Sequence, residues 1–147
     1  MAIAVTIGYV LHMLFAGIWT GGVIFMTYGV IPVGRAGNID TDPFADITSR
    51  LLILSRTCAL FLLLTGGYLA STMSDSLMGT TKGYLVIAMI VLWLAMAGLV
   101  EVGTKKISAG LRERKVRTPA EKGRPFFLGA SIVALLLLVV AGALLGL

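Results

Sequence analysis

Residues 126–147 read FFLGASIVALLLLVVAGALLGL, and across them Ser131 holds the only side-chain polar group. A helix needs about 20 predominantly apolar residues to cross the hydrocarbon core of a bilayer. Three further stretches meet that requirement, at roughly 3–31, 51–73 and 83–104. The whole chain of 147 residues is 58% hydrophobic and only 13% charged, with mean hydropathy +0.98. A soluble globular domain carries about 25% charged residues. The expected fold is therefore all-α: a four-helix transmembrane bundle in up-down-up-down order. It forms one domain, 1–147, with helices at about 3–33, 43–73, 82–109 and 119–147. The first segment is not a cleavable signal, because it lacks a basic leader and its apolar run is too long. Cys58 is the sole cysteine and excludes an internal disulfide. No repeat or low-complexity segment interrupts the pattern.

The charges give a direction. Lys105, Lys106, Arg112, Arg114, Lys115, Arg117, Lys122 and Arg124 lie between the third and fourth spans. Arg35 and Arg50 lie between the first and second, with Arg56 just inside the span, whereas the second connection carries only Lys82. Cytoplasmic loops carry the excess of Lys and Arg, so the first and third connections are expected in the cytoplasm and both termini outside. The net charge of +5 then reads as a topology signal in contact with anionic lipid, not as a nucleic-acid site. The expected location is a cell membrane, crossed four times.

Local signals set the expected helix ends. Pro32 and Gly34 end the first helix. Thr41 or Asp42 caps the second, with Pro43 at the first helical position and Asp46 favouring that end. The second helix ends near 72–74, and a short connector, 74–81, follows. Thr118-Pro119-Ala120-Glu121 fits a capping box for the fourth helix, and Pro125 is placed to bend it. Gly17 and Gly21 form a small-xxx-small pair that permits close helix approach and a homodimer.

His12 is the single histidine and stands inside the first span. An ionisable side chain at membrane depth is costly, faces protein or a cavity, and marks function by default. His12, Phe15, Trp19, Gly22 and Met26 recur at helical spacing, so this stripe should face the bundle, with Met13 on a neighbouring face. Met89, Trp93 and Met96 share one face of the third helix. At 1.5 Å per residue His12 lies about 12 Å and Met89 about 10 Å below the outer surface. The two meet if the first and third helices touch. Imidazole with thioether sulfur suits Cu(I), and His/Met also ligates haem iron. The bland alternatives are a hydrogen bond from His12 to a neighbouring helix, methionine and tryptophan as packing residues, and Cys58 as a small buried hydrophobe. Arg56 and Glu101 either reach the interface or pair with each other. There is no HExxH, CxxC, paired intramembrane carboxylate or phosphate loop, so no enzyme class is indicated.

The stretch Leu11-His12-Met13-Leu14-Phe15-Ala16-Gly17-Ile18-Trp19-Thr20-Gly21-Gly22 resembles the first helix of CopD-type membrane proteins, with a histidine seven residues before Trp-x-Gly-Gly. The same spacing is similar to that of HemJ-type protoporphyrinogen oxidases. Ser49-Arg50, Ser55-Arg56, Thr65-Gly66 and Lys82-Gly83-Tyr84-Leu85 resemble the second and third helices of CopD domains. Met89 stands where both families tend to have a lysine. CopD resemblance implies copper uptake or tolerance, HemJ resemblance implies haem b, and both carry over His12 as the ligand. The leading expectation is a copper-binding or copper-transporting site in the outer half. His12 and the helpers Met89 and Met13 are its metal ligands, and Trp19 and Gly22 line it. Met96 and Cys58 are the soft groups deeper in the bundle. The second expectation is a haem b protein, ligated by His12 and Met89 or by two copies of His12 across a dimer at Gly17 and Gly21. The third is a non-catalytic subunit of a larger membrane complex.

Overall fold

The computed structural model describes residues 2–73 and 78–147. It contains four long helices: α1 Ala2–Ala36, α2 Thr41–Thr72, α3 Thr81–Arg112 and α4 Arg117–Gly146. All four are long and apolar enough to span a bilayer. They pack as an up-down bundle in which α1 neighbours α2 and α4, and α3 neighbours α2 and α4. Helices α1 and α3 are thus diagonal partners. One end of the bundle holds the start of α1 and the finish of α4; we term it the terminal end. The other holds the connections 37–40 and 113–116. Every Lys and Arg except Lys82 lies in the half nearer those connections, here the basic end. Part of the expected connector 74–81, residues 74–77, lies outside the described residues.

Three helix ends depart from expectation. Pro32 does not end α1. Proline lacks the N–H that the carbonyl four residues earlier would accept. The helix absorbs this with a π turn over Met26–Val30, in which Ile31 N–H bonds to Met26 O. Such one-turn bulges are a common way to pass a helix defect. The helix ends instead at Gly37, whose φ of +73° is left-handed, with Asn38 N–H donating to Val33 O at 3.0 Å. That closing geometry favours glycine. The expected capping box on α4 does not form either. Thr118 is already helical, no side chain caps Val116, and Glu121 is drawn to an ion pair with Arg35 of α1. Likewise α2 starts at Thr41 after Asp40, with no side-chain cap and Pro43 inside the first turn.

The packing divides into two helix pairs. Helices α3 and α4 touch along their length through small residues. A Cβ at Gly103 would come 2.9 Å from Phe127, one at Gly123 2.6 Å from Ile107, and one at Gly110 2.2 Å from Pro119. Helices α1 and α2 meet near the terminal end where Gly8 admits Tyr68 and Leu69, and again where Phe15 stacks on Phe61 at 4.5 Å. The two pairs close on each other only toward the basic end. There Phe44, Ile31, Val100, Ile107, Ala120 and Phe127 are fully buried. Lipid gives no hydrophobic drive for helices to associate, so buried small residues and interhelical hydrogen bonds carry the packing.

One such bond joins α1 to α4 at the π turn. Ser131 Oγ donates to Thr27 Oγ1 at 2.7 Å, and Thr27 in turn bonds to backbone carbonyls of Val23 and Phe127 at 2.8 and 3.0 Å. Replacing Ser131 with alanine is expected to cost about 0.6 kcal/mol, the average for interhelical bonds of this kind. Reversible unfolding in mixed micelles measures it, and a neutral result would show that Thr27 finds full satisfaction on backbone alone.

Candidate functional site

Toward the terminal end the two helix pairs stand apart and enclose a cavity of about 220 Å³. It runs on α1 from Tyr9 to Thr20 and on α3 from Val86 to Trp93. At 1.5 Å per residue its length along α1 is about 16 Å. Its floor lies at Trp19, Leu62 and Trp93. The walls are almost wholly apolar, with His12 the one ionisable imidazole on them.

His12 is positioned by α2. Its Nδ1 lies 2.8 Å from Thr65 Oγ1. Thr65 Oγ1 also lies 2.7 Å from the carbonyl of Phe61, one turn back on the same helix. A hydroxyl has one hydrogen. Given to Phe61, it leaves Thr65 Oγ1 as an acceptor, so the Nδ1–H of His12 is the donor. With that hydrogen on Phe61, the contact is consistent with the tautomer that carries N–H at Nδ1 and a lone pair at Nε2. No buried side-chain nitrogen or oxygen among the described residues lacks a partner, so Nε2, which makes no hydrogen bond, keeps open surface. Glycine at 66 allows the approach: a Cβ there would sit 3.2 Å from His12 Cε1. Metal-ligating histidines donate their other ring N–H in this manner.

The floor is held by two indoles, each tied to α2. Trp19 Nε1 donates to Ser55 Oγ at 2.8 Å, and Trp93 Nε1 donates to Ala59 O at 3.1 Å. Trp19 is 1% exposed. Ser55→Ala leaves a buried N–H without a partner and should destabilise the protein by about 1–3 kcal/mol. Thermal unfolding in detergent tests this; an unchanged midpoint would mean that the indole has found another acceptor.

The structure brings His12, Met13, Met89 and Trp19 to this one cavity. His12 and Met89 reach it from diagonal helices, so they share the cavity without their helices packing together. Gly22 lies elsewhere: it faces Leu54 and Leu51 in the α1–α2 contact, below the cavity. Met96 and Cys58 are buried in the closed core. Among the described residues no three His, Cys, Asp or Glu side chains converge as metal ligands.

Gly17 and Gly21 are exposed and meet nothing within 4 Å. Gly17 is five residues from His12, or about 140° around the helix. A dimer on that face therefore places the two copies of His12 away from each other, and one haem cannot be shared through it. Arg56 and Glu101 do pair, at 2.6 and 3.1 Å, joining α2 to α3 below the floor.

Thr65, Gly66 and Gly67 form the part of the site that the sequence did not single out as such. Their signal is a polar group beside two missing side chains, about 10 Å below the end of α2 and so near the depth of His12. Comparison with protein-family models, curated proteins and solved structures found no match.

Proposed function

We propose that this multi-pass membrane protein binds haem b in the cavity between its two helix pairs, where His12 and Met89 would hold it. The observation that carries this reading is the prepared imidazole: Nδ1 held by Thr65 and Nε2 free, on the wall of an apolar cavity. Three features of the residues present fit the group. The walls match the apolar faces of a porphyrin. His12 and Met89 reach the cavity from diagonal helices and would hold the group from two of its walls. Gly66 lets the imidazole pack against α2, and Gly67 leaves open space one residue on. Haem b, when bound, supplies one-electron chemistry, its potential set by axial ligands and burial. The protein's own part is to hold the imidazole in one tautomer and to exclude water.

Copper is the second reading. The thioethers of Met13 and Met89 line the same cavity as His12, and soft sulfur suits Cu(I). A transport path fits less well. Below Trp19 the core closes around Val23, Met26, Met96 and Val100, all at most 1% exposed. By the positive-inside rule we place the cavity in the outer half of the membrane and the basic end in the cytoplasm.

The visible spectrum of the purified protein, oxidised and reduced, with copper analysis on the same sample, decides between the two. A Soret band that depends on His12 supports haem. Stoichiometric copper without that band moves the reading to copper. Neither signal, after both have been supplied, overturns both and leaves a structural subunit.

A further inference from the structure

The cavity is closed at its floor and open at its sides. Several residues that line it also face the bilayer. On the α2–α3 side Leu63 and Ile90 are each 52% exposed, and Gly67 between them has no side chain; a Cβ built there meets nothing within 4 Å. On the α1–α4 side Met13 and Leu138 do the same with less exposure, and Leu145 at the end of α4 lines the cavity at 57% exposed. The polar links between the helix pairs all lie at or below the floor, Trp93 to Ala59 being the highest of them among the described residues. Among the described residues that line the cavity, those on the α2–α3 side are apolar.

We propose that the cavity is filled sideways from the bilayer, through the gap between α2 and α3, and that without cofactor it holds the hydrocarbon chain of a membrane lipid. The inference uses the cavity of the proposed site but does not depend on haem as its occupant. An apolar cavity of this size is poor space for water: a 150 Å³ engineered cavity with apolar walls stays dry. Left empty, it forfeits dispersion contacts in proportion to its volume. Hydrocarbon is the solvent outside the gap. No charged side chain lines the cavity among the described residues, so the chain enters and the headgroup stays at the surface. An apolar cofactor would follow the same route by displacing the chain.

The two tryptophans of the sequence both stand at the cavity floor, so intrinsic fluorescence reports its contents. The floor lies about 16 Å below Lys82, close to the bilayer midplane. Trp93→Phe leaves Trp19 as sole emitter, buried from annular lipid. This variant, full-length and without haem, is placed in nanodiscs whose acyl chains are brominated near the methyl end. Bromine quenches indole on contact. Trp19 emission should be lost relative to discs of unbrominated lipid, and regained when Gly67→Leu with Leu63→Phe blocks the gap. Ile90→Phe provides a second plug should the first not fold, as judged by circular dichroism. Unquenched Trp19 in brominated discs overturns the proposal, as does quenching that folded plug variants leave unchanged. Quenching with no haem binding would overturn the haem reading alone, and haem binding without quenching would overturn only this one.

Discussion

His12→Ala, supplied with haem b, is expected to show no Soret band while keeping the helical content of the parent. The imidazole is half-buried and makes one hydrogen bond, to Thr65. Its loss removes the proposed haem ligand and relieves the membrane interior of an ionisable group, so the fold should survive. The companion variant separates ligation from packing. Thr65→Val keeps the shape of the helix surface but removes the acceptor for Nδ1–H. Loss of such an outer partner lowers metal affinity by about 10–100-fold. Haem titration should therefore give no binding in His12→Ala, weakened binding in Thr65→Val, and weakened binding with an altered reduced spectrum in Met89→Leu. Full haem binding by His12→Ala would sink the site as drawn here.

A large loss of stability is expected from Gly110→Ala. A methyl at 110 would stand 2.2 Å from Cγ and 2.7 Å from Cβ of Pro119, a fully buried ring with no rotamer to yield. Overpacking of this kind costs about 1–3 kcal/mol, occasionally more. The backbone around 110 has little freedom to retreat, because Gly110 O accepts the N–H groups of Glu113 and Lys115 as α3 closes. Gly98 offers the contrast. It is helical and meets nothing within 4 Å, so Gly98→Ala should be neutral or stabilising by up to about 1 kcal/mol. Thermal unfolding of both in one detergent tests the pair. Equal midpoints would show that the α3–α4 contact gives way more easily than the buried proline suggests.

The spans were legible because about 20 apolar residues in a row is a local property, and 126–147 states it with one polar side chain. The inward stripe was legible for a similar reason: helical spacing puts His12 and Trp19 on one face. Helix ends were less so. Pro32 is a stop signal by its own chemistry, but the π turn before it carries the helix past the missing N–H, with Ile31 N–H bonded to Met26 O. Glu121 reads as a capping residue until Arg35, 86 positions away, competes for it. The partner of His12 was hidden by the same kind of distance. Thr65 lies 53 residues on, and only the packing of α1 on α2 brings them together. That α1 and α3 stand on a diagonal, with space between them and not contact, is a property of four helices at once.

The split between a bonded basic end and an open terminal end bears on the energy of occupation. The contacts that unite the helix pairs, from Trp93–Ala59 down to Arg35–Glu121, lie outside the volume that a ligand takes. A guest can wedge the pairs apart by a fraction of an ångström and leave these contacts in place. Much of what association ordinarily costs, the ordering of walls and the loss of polar partners, has been settled when the chain folds. Affinity for the guest can therefore be tuned by side chains of the cavity while the stability of the bundle is tuned independently, at the other end.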